Sequence, residues 1–351
     1  MTLAVLVSLL VNSIGAFLIA ALIVLLAARA FRLRAGRLRV LLLSLPFAKL
    51  VFDALRGLPE TSFLWTNGLT PDNRSVLVGA GVVPPFGLRL HIVMRAYADG
   101  REYVLSLGDF VVDACRRAGP TCLPLLAAAL CLPAAVLLAR RVVSYASFAR
   151  ERIRLRRYAD STERVVSGLR TVDVYQGPSP CSVPFSGGVF KPYVCIPSQV
   201  GSKLSNSERR AVIEHELAHI RAFDVVLLSC IGVLTDIVWF VPGIRAMARR
   251  VAAACELCAD DGATNRGVDR LCLASALVRV AEALRAAQPA APLTAAGRSS
   301  QELTRRIRRL LEPMPSTVVS LRHRILRIAL GAAALLIVTH TVFISVLGGS
   351  Y

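Results

Sequence analysis

Apolar runs that end in clusters of arginine constrain the fold of this chain more than any other feature. The first run, Leu3–Ala27, is long enough to cross a lipid bilayer, and Arg29 and Arg32 follow it at once. It has no preceding positive charge and no small-residue cleavage site, which favours a membrane anchor over a signal peptide. Short arginine-rich loops stay in the cytoplasm. The N-terminus is therefore predicted to lie outside.

Three further runs, Val40–Leu55, Leu123–Ala139 and Ile328–Leu347, complete a set of four predicted spans. The third is interrupted by prolines and ends at a basic block that extends from Arg140 to Arg157. We expect this block to be cytoplasmic and to contact anionic lipid headgroups. The pattern predicts a multi-pass protein of the plasma (inner) membrane with both termini extracytoplasmic.

Composition supports a membrane protein over a nucleic-acid-binding one. The chain is 55% hydrophobic and carries a formal net charge of +19. In a soluble protein such a charge would suggest nucleic acid, but cytoplasmic loops of membrane proteins carry the same excess. We therefore predict contact with membrane lipid and no direct contact with nucleic acid. The nine cysteines are scattered and form no disulfide framework. A Cys255-x-x-Cys258 pair is a possible metal or redox site, but it has no second such pair.

Two charged residues, Lys49 and Asp53, lie inside the second predicted span, four positions apart. Ionisable groups within a span usually pair with each other or face the bundle interior. We expect the two side chains to neutralise each other on one face of the helix.

The spans divide the chain into five predicted parts. The largest is a cytoplasmic α+β domain at 158–313, which is large enough to bury its own core. The other four are two transmembrane helices with a basic cytoplasmic loop (1–57), an extracytoplasmic loop with strands around 76–93 and a helix that ends near Arg117 (58–120), a third transmembrane helix with its basic stop segment (121–157), and a fourth transmembrane helix (314–351).

The cytoplasmic domain contains clear local signals. Ser182–Pro197 is predicted as a strand bounded by Gly-Gly and Pro, and Ser205 with Glu208 forms a capping box that starts a helix. Val225–Val241 is apolar, but Asp236 lies in its interior, where charge is costly in lipid. We interpret this segment as a buried or membrane-surface helix that ends at Pro242-Gly243.

The capped helix carries the sequence E-H-E-L-A-H. His215 and His219 are four residues apart, so they lie one turn apart on the same helix face, with Glu216 between them. Two imidazoles and a glutamate in an H-E-x-x-H pattern indicate a zinc ion, Zn²⁺, with a carboxylate that acts as general base. A chance match on an ordinary amphipathic helix is the alternative.

Catalytic zinc sites usually have three protein ligands and a water molecule. No third histidine follows His219 at the spacing that some zinc peptidases use. Glu256 on a later helix is the best third ligand, because Asp260 one turn further on can orient a ligand histidine. A surface acidic pair is the other interpretation, but both residues directly follow an apolar run.

H-E-L-A-H-I-R-x-x-D, an apolar helix and then E-L-x-x-D resemble the BlaR/MecR family of membrane metallopeptidases. The resemblance extends to F-S-G-G-V-F-K-P-Y-V-C-I-P, to the L-S-x-x-E lead into the helix and to R-I-R-R-L-L. It implies a minimal gluzincin fold embedded among four transmembrane helices in a mainly α protein. The zinc ligands would be His215, His219 and Glu256, with Glu216 catalytic and Asp260 orienting a ligand. The more distant CAAX-processing and heat-shock membrane proteases share the two-helix pattern.

This reading predicts an endopeptidase in which Glu216 takes a proton from the attacking water. The substrate backbone is expected to add as a strand along the Gly188–Ile196 edge, at Gly188, Val189 and Phe190. The resemblance favours a cytoplasmic repressor, or the protein itself, as substrate. Antibiotic sensing is not expected, since no sensor domain follows the fourth span.

Two other functions remain open from the sequence. A non-catalytic membrane signal transducer could keep zinc for structure, although structural zinc sites usually have four protein ligands. A polybasic membrane adaptor for nucleic acid would leave the two-helix metal pattern unexplained.

Overall fold

A computed structural model describes residues 3–30, 36–57, 93–98, 101–167, 170–179, 183–188, 191–287, 293–312 and 343–345. The described chain is mainly helical, as predicted. Its helices are α1 Leu3–Ala30, α2 Arg37–Gly57, α3 Leu107–Ala118, α4 Cys122–Tyr158, α5 Ser198–Gly201, α6 Asn206–Arg221, α7 Asp224–Ile237, α8 Ile244–Thr264, α9 Arg270–Ala287 and α10 Leu293–Leu311. Its strands are β1 Val93–Ala98, β2 Arg101–Ser106, β3 Ser161–Ser167, β4 Arg170–Gly177, β5 Phe185–Gly187, β6 Tyr193–Pro197 and β7 Phe343–Ser345.

Two helices of the described residues, α1 and α4, are each long and apolar enough to cross a membrane. These correspond to the first and third predicted spans. Helix α4 is continuous through Pro133 and through the basic block to Tyr158, over 37 residues. The expected interruption by prolines was therefore wrong. Arginine is a good helix former, so the basic block extends the helix instead of ending it.

Helix α2 coincides with the second predicted span, but its charged residues exclude it from the helices with span-like composition. Lys49 is fully buried, and its Nζ lies 2.6 Å from Asp53 Oδ1, so the expected ion pair is present. Apolar side chains of α1, α2, α7 and α8 share one buried cluster, which includes Phe17, Phe47 and Met247. Helices α7 and α8 are thus packed directly against the N-terminal helices.

A four-stranded sheet with the order β3-β4-β6-β5 supports helix α6. Strands β4 and β6 are parallel, and the outer pairs are antiparallel. Ile213, Leu217 and Ile220 of α6, which recur at helical spacing, pack on valines and isoleucine of β4 and β6. The predicted single strand at Ser182–Pro197 is instead a hairpin of β5 and β6. Gly188 turns the chain there with a φ of 82°, a backbone conformation that residues with a side chain rarely adopt.

Helix α7 follows α6 after a 60° bend, and together the two have the length and composition of one broken span. The interior charge of α7 is neutralised, because Arg141 of α4 donates a hydrogen bond to Asp236. Trp239 just beyond α7 donates a hydrogen bond to the backbone oxygen of Leu130, 3.1 Å away. These contacts join α7 to the candidate membrane helix α4.

Several predicted segments lie outside the described residues, including 58–92 and most of the fourth span. The described part of that span, β7, is a short strand beside β1 and not a helix. Helix α3 ends at Ala118, close to the predicted end near Arg117. The proposed division into five parts and the remaining spans stay predictions.

Candidate metal centre

Helix α6 places the two histidines on the side opposite the sheet. Its first turn is fixed by the predicted capping box: Glu208 donates its backbone N–H to the Ser205 hydroxyl, and the Glu208 carboxylate accepts the Ser205 N–H. From this start the 3.6-residue period turns Ile213 and Leu217 to the sheet. His215 and His219 consequently face α8, with ring centroids 4.9 Å apart.

Helix α8 brings Glu256 to the two histidines. Glu256 Oε2 lies 3.5 Å from His215 Nε2, and Glu256 Oε1 lies 3.6 Å from His219 Nε2. Helices α6 and α8 approach so closely that a Cβ on Gly262 would lie 2.9 Å from the Ala218 Cβ. This close contact between small residues positions the carboxylate against the imidazoles.

The three side chains offer ligand atoms that all lie within 4.8 Å of one another. A tetrahedral zinc ion with bonds of about 2.1 Å holds its ligand atoms about 3.4 Å apart. The observed histidine–glutamate distances of 3.5 and 3.6 Å are close to that spacing. Two imidazole nitrogens and one carboxylate oxygen therefore form a donor set into which zinc fits.

Each histidine faces a buried carboxylate on its Nδ1 side. Asp260 Oδ1 lies 3.1 Å from His215 Nδ1, but the two atoms are not aligned as a hydrogen bond. Asp224 Oδ2 lies 3.0 Å from His219 Nδ1 and is aligned for one. An ionised carboxylate only accepts, so this contact keeps the proton on Nδ1 and leaves the Nε2 lone pair toward Glu256.

Asp224 is a site residue that sequence reasoning missed. The sequence feature that could have identified it is its position as the final residue of H-E-L-A-H-I-R-x-x-D. In the structure Asp224 begins α7, just after the bend at Phe223. Arg37 of α2 donates hydrogen bonds to Asp224 and to the backbone oxygen of Ala222. Burial opposes ionisation of Asp224, but hydrogen bonds from His219 and Arg37 hold its pKa below the usual value.

Arg306 is the second missed residue, and it comes from α10. Its guanidinium lies 2.7 Å from Glu256 Oε2 and binds both oxygens of Asp260, at 2.7 and 2.9 Å. The sequence places Arg306 within R-I-R-R-L-L on an amphipathic helix, which resembles a solvated or headgroup-facing element. Which arginine of such a helix faces inward depends on tertiary packing.

The carboxylates set the protonation of this cluster. Burial works against a charged His215, but the carboxylates of Asp260 and Glu256 outweigh it and raise the His215 pKa to about 9. Burial likewise opposes ionisation of Glu256, yet His215 and Arg306 hold the pKa of Glu256 well below its usual value. A bound cation would take the place of the proton on His215, since a metal ligand imidazole must be neutral.

Glu216 lines a cavity of about 770 Å³ together with His215, His219 and Glu256. Glu216 is not one of the three residues whose ligand atoms converge, and it is 8% exposed. Val183–Ser186, which leads into and includes the start of β5, forms another wall. A peptide in this cavity would thus lie between β5 and the two helices that carry His215, His219 and Glu256.

Among the described residues, β5 is the edge strand next to the cavity, because β6 is paired on both sides. Most of the predicted substrate edge at Gly188–Ile196 therefore belongs to an inner strand, and substrate binding at Gly188, Val189 and Phe190 stays a prediction. Gly188 lies just past the end of β5, and Val189 and Phe190 are outside the described residues. The hairpin was predicted as a single strand because the Gly-Gly pair was interpreted as a strand boundary rather than as a turn.

Of the other residues considered from sequence, the two cysteines of the C-x-x-C pair and Tyr193 pack in hydrophobic clusters. Cys255 is buried in the cluster with α1 and α2, and burial raises the pKa of its thiol and of the Cys258 thiol. Tyr193 packs against Tyr175 and donates a hydrogen bond to the Phe148 backbone oxygen, 3.2 Å away. His323 lies outside the described residues.

Comparison with known proteins identifies the family. No curated protein matches the chain significantly. The profile of the BlaR1 peptidase M56 family matches residues 116–310, which is more than half of the sequence and includes α6, α8 and Arg306. The chain belongs to the BlaR1 peptidase M56 family.

Proposed function

We propose that this protein is an integral-membrane, zinc-dependent endopeptidase that acts in regulatory proteolysis or signal transduction. The observation that carries the proposal is the convergence of His215, His219 and Glu256, with Glu216 in the same cavity. Membership of a peptidase family supports the same conclusion. Three ligands next to a free carboxylate fit a catalytic zinc site better than a closed structural one.

The three ligands and their partners would hold the metal in a fixed orientation. His215 and His219 would bind through Nε2, while Asp260 and Asp224 face their Nδ1 atoms. A zinc ion at this position would lower the pKa of a water molecule and polarise a substrate carbonyl.

Glu216 is the general base of the proposed reaction. Its position between the two histidines in the sequence and its place in the wall of the same cavity support this role. It accepts the proton from that water and then delivers it to the leaving amine. The peptide bond breaks between the carbonyl carbon and that nitrogen, so one water molecule is consumed for each bond cut.

Substrate recognition is proposed at the free edge of β5. An extended peptide adds to an exposed strand through backbone hydrogen bonds, which require no particular sequence. Phe185 and Ser186 line the same cavity as Glu216. A peptide held along β5 would therefore enter the cavity that contains the proposed general base.

We propose four transmembrane helices, with residues 158–313 as the cytoplasmic peptidase domain and both termini outside. Two described helices of span-like composition and the arginine clusters after the first and third spans support this topology. On this topology the substrate is a cytoplasmic protein, such as a repressor, or the peptidase itself. Anionic lipid headgroups would contact the arginine-rich end of α4.

The test uses Glu216→Gln in the full-length protein, purified in detergent and assayed with co-expressed cytoplasmic proteins. We expect zinc content to stay near one per chain while cleavage stops, because the ligands are intact and only the base is lost. His219→Ala should lose both zinc and cleavage. Cleavage that persists in Glu216→Gln would exclude this base. Wild-type protein that holds zinc but cuts neither itself nor any co-expressed protein would favour the non-catalytic transducer.

A further inference from the structure

Arg306 makes three close ionic contacts with residues of the proposed metal centre. Its Nη1 lies 2.7 Å from Glu256 Oε2, while Nη2 and Nε bind Asp260 Oδ1 and Oδ2 at 2.7 and 2.9 Å. The side chain is only 12% exposed, although α10 is rich in exposed arginines. One guanidinium therefore joins the third proposed ligand to the carboxylate that faces His215.

This contact holds the carboxylate of Glu256 against both histidines. Oε2 contacts Arg306 and lies 3.5 Å from His215 Nε2, whereas Oε1 lies 3.6 Å from His219 Nε2. A carboxylate bound in this way has a fixed plane, and each of its oxygens lies near one of the two imidazoles. A planar, forked guanidinium can hold two carboxylates at once, which a lysine ammonium cannot do with the same geometry.

Charge gives a second reason for an arginine at this position. Glu256 and Asp260 lie one turn apart on α8, and two ionised carboxylates so close repel each other. The positive charge of Arg306 between them offsets this repulsion. Arg306 Nη2 lies 3.4 Å from His215 Nε2, so its positive charge would also repel a metal cation bound there. The two effects act in opposite directions on metal affinity, so measuring that affinity separates them.

The helix that carries Arg306 is fixed to α8 by separate contacts. Arg309, one turn later, binds both oxygens of Asp261 at 2.7 Å and donates to the backbone oxygen of Leu257 at 3.1 Å. Leu310 is buried in a cluster with residues of α6 and α9. Arg309 thus holds α10 in place without touching the proposed ligands.

We propose that Arg306 is a positioning residue of the metal centre, which fixes Glu256 and Asp260 in the orientation that zinc requires. The inference rests on the proposed zinc-dependent function. It gives α10 a role in the centre, in addition to α6 with its H-E-x-x-H motif and α8 with Glu256. Removal of the guanidinium should weaken metal binding even though no ligand is changed.

The experiment measures metal affinity in the full-length protein in detergent micelles, apart from any peptidase assay. Zn²⁺ affinity is obtained by competition with a chelating dye, and Co²⁺ is added to record the visible absorption of the centre. Residues that orient ligands typically change metal affinity by about 10–100-fold. We expect a loss in that range for Arg306→Gln, together with an altered Co²⁺ spectrum because Glu256 is no longer held.

Three variants control for charge and for docking of α10. Arg306→Lys keeps the charge but not the fork, so we expect its affinity to stay well below wild type. Arg308→Gln removes an exposed arginine of the same helix, and Arg309→Gln loosens its attachment. Both should bind Zn²⁺ within about twofold of wild type and give its Co²⁺ spectrum. Far-ultraviolet circular dichroism and the thermal midpoint of each metal-free variant establish that it is folded.

The outcomes separate this inference from the proposed function. Affinity that rises in Arg306→Gln would overturn the inference, because Arg306 would then only compete with the metal. Unchanged affinity, full recovery in Arg306→Lys, or an equal loss in Arg309→Gln would also overturn it. If the wild type does not bind Zn²⁺, or binds it equally well without His215 or His219, the proposed zinc centre itself is refuted.

Discussion

Asp224 Oδ2 lies 3.0 Å from His219 Nδ1, and the other oxygen of that carboxylate accepts a hydrogen bond from Arg37. Asp224 therefore connects the α6–α7 bend to the helix α2, on which the bend packs. The residue next to it, Phe223, adopts a left-handed conformation with φ of 57°. Such a conformation is uncommon for a residue other than glycine, and here it turns Asp224 back toward the preceding helix.

Replacing Asp224 should weaken the proposed metal centre. We expect Asp224→Ala to lower Zn²⁺ affinity by about 10–100-fold, because the His219 ring loses the acceptor that fixes its tautomer. Dye competition on the purified protein measures the change. Asp236→Asn, at the other end of α7, is the matched control and should bind Zn²⁺ like wild type. Equal affinities of Asp224→Ala and wild type would contradict this role.

Separation of α6 and α8 should also disturb the centre, without altering any polar group. Gly262 faces Ala218 at a distance that leaves no room for a side chain. Gly262→Leu should push the helices apart, lower stability by about 1–3 kcal/mol and weaken metal binding. Gly267→Ala is the control: its Cβ would meet open space but its φ of 85° strains any side chain, so it should lower stability without weakening metal binding. A Gly262→Leu protein with wild-type zinc affinity would show that the helix spacing is not required.

Glu208 should give the fold a measurable pH dependence. Hydrogen bonds from Ser275 and the Ser205 backbone, with Arg279 nearby, lower the Glu208 pKa to about 2. A group with a depressed pKa stabilises the folded state above its unfolded pKa of about 4.3 and loses that contribution as pH falls toward 2. Glu208→Gln should cost about 2 kcal/mol at pH 7.

The difference in thermal midpoint between Glu208→Gln and wild type should therefore shrink from pH 5 to pH 3. Glu282→Gln, an exposed glutamate on α9, is the control and should show little difference at any pH. A gap between the Glu208→Gln and wild-type midpoints that is independent of pH would mean that the loss is due to packing alone.

The buried Lys49–Asp53 pair should be strongly non-additive. Breaking a buried pair leaves one charge without its partner and typically costs about 3–5 kcal/mol. Lys49→Met should thus lower the thermal midpoint in detergent substantially, and the double variant Lys49→Met/Asp53→Leu should recover much of the loss. A double variant less stable than Lys49→Met alone would show that the two side chains do not act as a pair.

Local patterns predicted much of the centre. The capping box at Ser205 and Glu208 is confirmed because it depends on four adjacent residues only. The helical spacing of His215 and His219, and of Glu256 and Asp260, predicted two faces that the fold brings together. Both predictions needed only the period of a helix.

Residues that reach the centre from elsewhere in the chain were not predictable in the same way. Arg306 is one of several arginines on α10, and its inward direction is set by how α10 packs on α8. Arg37 likewise resembled a residue of a basic loop, and it contacts Asp224 only because α2 packs beside α7. Both contacts depend on tertiary structure, about which residue spacing gives no information.

The continuity of α4 has a geometric consequence for everything that follows it in the chain. Its 37 residues extend over about 55 Å, of which a bilayer core would take about 30 Å. The C-terminal part carries Leu155, which is buried with Tyr175 and Tyr193 of the sheet. Adding or deleting one residue near Ala139 would shift this attachment by about 1.5 Å and rotate it by about 100°. The position of the sheet along the axis of α4 and its orientation about that axis thus depend on the number of residues in α4.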